Sequence, residues 1–197
     1  MVPYIDSKYL TSDEEQTLLA LARFILEKFI AANITEFPDT KLSEFNITTA
    51  HRQSLGVFVT LIKHGNLRGC IGNITGLRPL YQGVIENTQN AAAHDPRFPK
   101  VSPDELGEIE LEISVMTPLV KVTDLHEITI GRDGLVLRHG FNSGVFLPQV
   151  PVEWNWDKTT YLEQLGRKAG LRQDAYQDPQ TELWRFSAQV FGECKKS

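Results

Sequence analysis

Residues 56–72 read GVFVTLIKHGNLRGCIG, two short apolar runs on either side of His64-Gly65-Asn66. Glycine and asparagine tolerate positive φ, so the cluster marks a tight turn and the flanking runs make a β-hairpin. If residues 67–72 are extended, successive side chains alternate between faces. Leu67, Gly69 and Ile71 then share one face, and Arg68, Cys70 and Gly72 the other. This reading puts a guanidinium beside a thiol, with Leu67 and Ile71 turned toward the core. Cys70 and Cys194 are the only cysteines and form no CxxC pair. A disulfide framework and a cysteine-rich zinc site are therefore disfavoured, and a reducing, cytoplasmic setting fits.

Upstream, SDEEQTLLALARFILEKFIAAN repeats apolar residues at Leu18, Leu19, Ala22, Ile25, Leu26, Phe29 and Ile30, one face of a helix. Ser12 and Glu15 have the spacing of a capping box. Polar, irregular sequence follows from Asn33 to His51, with Pro38 as a breaker. Downstream, PLYQGVIENTQNAAAHDP predicts a second helix, with Pro79 in its first turn and Asp95-Pro96 ending it. His94 falls at the end of that helix. In SPDEL, Ser102, Pro103 and Glu105 repeat the helix-start pattern.

EIELEISVM alternates Ile109, Leu111, Ile113 and Val115 with Glu108, Glu110, Glu112 and Ser114, a strand with one apolar face and one carboxylate face. Asp133-Gly134 marks a second hairpin turn before a strand at Leu135–Arg138, and Gly140, Asn142, Ser143 and Gly144 read as loop. Asp157 caps a helix through about Lys168, with Gly170 as its stop, and LWRFSAQVF reads as a last strand. Hairpins alternating with single helices predict one compact α+β unit over residues 1–197, with a mixed, mostly antiparallel sheet.

A chain of 197 residues buries about 70 % of its unfolded surface, enough to fold without disulfides or a structural metal. Its net charge of −5 argues against a general affinity for nucleic acid. No apolar run reaches the ~20 residues of a membrane span, and the first residues lack the basic and apolar regions of an export signal.

Three clusters can carry chemistry. A neighbouring cation lowers a thiol from about 8.5, so Arg68 can activate Cys70, while backbone N–H groups at Gly69 and Gly72 can meet an anion. The alternative is that Cys70 simply packs. In AHDPRF, His94 can act as base to Cys70, oriented by Asp95, with Arg97 holding an anionic substrate. The same residues equally make a helix stop with Arg97 paired to a carboxylate. Glu110, Glu112 and Ser114 can ligate a hard cation, pair with Arg68 or Arg97, or form a solvated face. His51, His64, His126 and His139 lack zinc-ligand spacing, and neither a Walker loop nor a dinucleotide fingerprint is present, so no metal or cofactor is expected.

The blocks GVFVTL, LRGCIG, AAAHDPRF, ELEISVMTP, FLPQV and KAGL, in this order, resemble the AMMECR domain family. Lys100 and Met116 stand where that family often has proline and leucine. The resemblance implies an α+β fold of two lobes around a cleft, with LRGCIG close to it. It also implies association with Memo-like and radical SAM proteins. It points to Arg68, Cys70, Asp95, Arg97 and Glu112 without assigning their roles. Two functional classes remain open: a cysteine-dependent enzyme or enzyme component, and a binding module whose Arg68 and Arg97 grip an anionic ligand while Cys70 packs.

Overall fold

The computed structural model describes residues 9–37 and 42–193; Pro38 and Cys194 lie outside them. The chain forms two compact units, one from the described residues before Thr117 together with 189–193, the other spanning residues 117–188. The class is α+β, with two antiparallel sheets of four strands each.

In the larger unit, helix α1 (Ser12–Ala32) buries the predicted stripe from Leu18 to Ile30 and ends at Asn33, whose φ of 52° is left-handed. Its cap differs from the predicted one. Thr11 is the N-cap, its hydroxyl accepting from the Glu14 N–H, while the Glu14 carboxylate accepts from the Thr11 N–H at 2.9 Å. Glu15 is unavailable for capping because it is buried and takes the Gln189 side-chain amide at 2.6 Å.

The hairpin is formed by β1 (Val57–Lys63) and β2 (Asn66–Asn73), and its turn residues His64 and Gly65 have φ of 51° and 76°. Two left-handed residues match the right-handed twist of the flanking strands. The pairing slips once: Leu61 faces Gly69, but Ile62 faces Leu67. Arg68 is therefore an extra residue, a β-bulge that breaks the simple alternation. Leu67 consequently lies on the Cys70 face and is 44 % exposed, contrary to the core position expected, while Ile71 keeps its place on the core side.

Strand β3 (Ile109–Met116) pairs with β1 on its other side and buries Ile109, Leu111, Ile113 and Val115 as predicted. With β8 (Ala188–Gly192) the sheet order is β2-β1-β3-β8. Helix α2 (Leu80–Ala93) packs on β1 and β2, with Pro79 just outside it as N-cap and His94 as C-cap. Gly69 permits this close approach, since a Cβ there would lie 2.2 Å from the Ala91 carbonyl oxygen. One apolar cluster joins α1, α2 and the inner sheet face.

The smaller unit contains β4 (Val120–Lys121), β5 (Gly134–His139), β6 (Asn142–Phe146) and β7 (Glu182–Phe186), in the order β4-β7-β5-β6. Asp133-Gly134 is not a hairpin turn. Asp133 is buried, accepts the Thr129 N–H at 2.8 Å and pairs with Arg132, and Gly134 leaves room for the Phe186 ring. The hairpin here is β5–β6, turning at Gly140-Phe141, so of the residues read as loop Gly140 lies in the turn while Asn142, Ser143 and Gly144 belong to β6. Helices α3 (Val150–Glu153) and α4 (Lys158–Lys168) follow, α4 capped by Asp157 and succeeded by Gly170 at φ 74°. Leu135, Leu137, Tyr161, Leu162 and Leu165 make this unit's own core. The last predicted strand is two strands, β7 and β8, in different sheets, divided at Ser187.

Candidate functional site

Strand β2 is an edge strand, and the segment after α2 covers that edge at Cys70. The Cys70 N–H donates to Asp95 Oδ2 at 2.9 Å, and Arg97 Nη2 donates to the Cys70 carbonyl at 3.2 Å. Arg97 grips Asp95 with both arms of its fork, Nε to Oδ1 at 2.9 Å and Nη2 to Oδ2 at 2.7 Å. Asp95 and Arg97 thus supply Cys70 with the donor and acceptor that a further strand would provide. The Arg97 bonds hold the Asp95 carboxyl well below the usual carboxylate range, aided by the Cys70 and Arg97 N–H groups and opposed by burial.

Arg68, displaced by the bulge, forms a second fork. Its Nε and Nη2 reach the two Glu105 oxygens at 2.9 Å each, and Nη1 reaches the Pro99 carbonyl at 2.9 Å. Glu105 also accepts from Ser102 N–H and Lys63, completing the predicted helix-start box; the Arg68 bonds dominate in holding its carboxyl well below the ordinary range. The Arg68 fork therefore serves Glu105, and the residue bonded to the thiol is Thr60, whose hydroxyl donates to Cys70 Sγ at 3.3 Å.

The structure does not assemble Cys70, His94 and Asp95 into a relay. His94 is exposed and its Nδ1 meets Asn90 Oδ1 at 3.0 Å, while Asp95 is committed to Arg97 and the Cys70 N–H. Gly69 and Gly72 close-pack rather than cradle an anion: Gly69 lies under the Ala91 carbonyl and Gly72 against the Phe58 ring.

What the sheet does assemble is a row. Because the Cys70 N–H and C=O point off the edge, Cys70 and Thr60 form the narrow type of antiparallel pair, with side chains close together. Across Thr60 on the other side stands Glu112. Cys70, Thr60 and Glu112 thus occupy one line across three strands on the face opposite α2, all partly buried. Glu110 and Ser114 flank Glu112 on β3. Among the described residues Glu112 has no hydrogen-bond or ion-pair partner, and no cluster of three metal-binding side chains exists. Sequence reasoning missed Thr60, although alternation in VFVTLIK already placed it on the polar side of β1.

The profile of the AMMECR1 family matches residues 19–191. The chain belongs to the AMMECR1 family. A protein of Methanothermobacter thermautotrophicus is 41 % identical to it, over 93 % of this chain and 96 % of its own. Protein TK0174 of Thermococcus kodakarensis is 41 % identical, over 89 % and 88 %. The crystal structure of uncharacterized protein PH0010 from Pyrococcus horikoshii superposes with a TM-score of 0.81 at 34 % identity, covering 94 % of both chains. The AMMECR1 match contains the hairpin, the Asp95–Arg97 segment and β3, hence the whole row. Among the described residues no helix is long and apolar enough to cross a membrane.

Proposed function

We propose that this AMMECR1-family chain is a cysteine-dependent enzyme or enzyme component, with Cys70 as nucleophile or acceptor on the outer face of β2-β1-β3. The row carries the reading: a half-buried thiol accepts a hydroxyl hydrogen bond from Thr60, and a carboxylate with no partner among the described residues stands one strand further on. The Thr60 hydroxyl orients the sulfur, and Glu112 is the carboxylate available as general base to a substrate lying along the row. Asp95 and Arg97 position the nucleophile by fixing its backbone, and Arg68 with Glu105 holds the bulge beside it. The family resemblance supports a cytoplasmic setting and partnership with Memo-like and radical SAM proteins, which co-purification with the tagged chain tests.

A second reading rests on Arg97, whose side chain is 54 % exposed and whose Nη1 makes no hydrogen bond among the described residues. There the chain is a non-catalytic module that grips an anion with this arginine. Alkylation of Cys70 as a function of pH, in a Cys194→Ser background, separates the two. The enzyme reading predicts a half-reaction point below pH 8 that Thr60→Val raises. A half-reaction point at about 8.5 or above, or no labelling of the folded protein, overturns it. Phosphate binding lost in Arg97→Ala then supports the module.

A further inference from the structure

On the side of the hairpin opposite Cys70, a cavity of about 270 Å³ opens between α2, the ends of β1 and β2, and the loop that follows. It is smaller than the ~300–1,000 Å³ of drug-sized sites, so it suits a ligand of one or two rings. Its floor is apolar, from Val57 and Ile71. Gly83, Asn87 and Asn90 recur at helical spacing and present one face of α2 to it. Gly83 keeps the helix close, as a Cβ there would meet Val57 Cγ1 at 2.9 Å.

Asn87 is the telling residue. It is 2 % exposed, and its Nδ2 donates to the Val57 carbonyl at 3.0 Å. Its Oδ1 has no partner among the described residues, and the side chain lines the cavity. That oxygen is an acceptor at the cavity wall, open to a donor from a guest. Asn90, Asn73 and Thr75 line the same space, giving three carboxamides and a hydroxyl; with Asn87 Nδ2 bonded to Val57 and Asn90 Oδ1 meeting His94, Asn87 keeps an acceptor and Asn90 a donor for a guest. The charges at the mouth, Arg78 and Glu86, neutralise each other at 3.0 Å and are about half exposed. Nothing here selects for ionic charge.

We propose that this cavity binds a neutral planar heterocycle with an amide- or amidine-type edge, the chemistry of a free nucleobase. Carboxamides pair in-plane and bidentately with such edges, and the apolar floor takes the flat face of the ring. The site is independent of the reading of Cys70, which faces the other way.

Calorimetric titration of the full chain with adenine, uracil, glucose and inorganic phosphate tests this. Adenine or uracil is expected to bind saturably at about 1 mM or tighter. Asn90→Leu is expected to weaken that binding about tenfold or more while leaving the thermal midpoint and the Cys70 alkylation profile unchanged. Asn73→Leu, at an exposed strand end, provides a second variant that does not depend on the buried Asn87. No saturable binding of either base, equal binding by Asn90→Leu and Asn73→Leu, or binding of glucose or phosphate in place of a base each overturns the proposal.

Discussion

Asp95 shows how one side chain can serve two elements. It ends α2, pairs with Arg97, and satisfies the N–H of a strand residue 25 positions away in sequence. Removing Arg97 leaves a carboxylate that is 2 % exposed but still accepts two backbone N–H groups. Because Arg97 is half exposed and the pair partly screened, Arg97→Ala is expected to cost about 1–3 kcal/mol, measured by urea denaturation. A variant as stable as wild type would show the pair to be ordinary surface charge. The Asp95 and Glu105 carboxyls are both depressed in the folded protein, so the unfolded chain binds more protons at low pH. Their contribution is fully present above the unfolded value of about 4 and is lost as pH falls toward the depressed folded values. Urea midpoints should therefore fall with pH below about 4, and Asp95→Asn should flatten that slope; equal slopes would remove Asp95 from the account.

At the scale of elements, the contact of α2 with the hairpin rests on Gly69. Substituting alanine drives a Cβ into the backbone carbonyl of Ala91, which no rotamer change can relieve. Gly69→Ala is expected to cost about 1–3 kcal/mol or more through overpacking, read from the denaturation midpoint. Cys70 lies on β2 and Asp95 directly follows α2, so the same substitution should also alter the Cys70 alkylation rate. A stable Gly69→Ala protein with unchanged alkylation would show that the helix is free to shift without disturbing the row.

For the whole molecule, the decisive feature is the passage from β7 to β8 through Ser187. Ser187 and Thr117 clasp each other by two hydrogen bonds, Ser187 N–H to Thr117 Oγ1 and Thr117 N–H to the Ser187 carbonyl, both 2.8 Å. Beyond the clasp, Gln189 binds the Leu10 backbone and Glu15, and Glu193 binds Arg23 and the Leu111 N–H. Ending the chain at Ser187 removes those bonds from the larger unit and turns β3 into an unprotected edge. The truncated protein is expected to melt at lower temperature and to scatter light at concentrations where the full chain does not. An unchanged melting curve would show that β8 contributes nothing to the larger unit.

The sequence by itself determined the elements whose signal is local. The periodic stripe of α1, the alternation of β3, the His64-Gly65 turn and the Asp157 cap each depend on residues within a few positions of one another. It also brought LRGCIG, HDPR and the β3 carboxylates forward as one candidate set. Tertiary structure decided what distance in sequence conceals. The bulge at Arg68 exists only in the pairing of β2 with β1, and it moved Leu67 onto the thiol's face. Glu15 was lost as a capping partner because a glutamine 174 residues away uses it. LWRFSAQVF has one continuous strand-forming pattern, yet the hydrogen bonds that divide it belong to two different sheets. Arginines that look free in sequence are held by Asp95 and Glu105, because a buried or half-buried carboxylate takes the fork within reach. Cross-strand register, set by all three strands together, placed Thr60 between the thiol and Glu112.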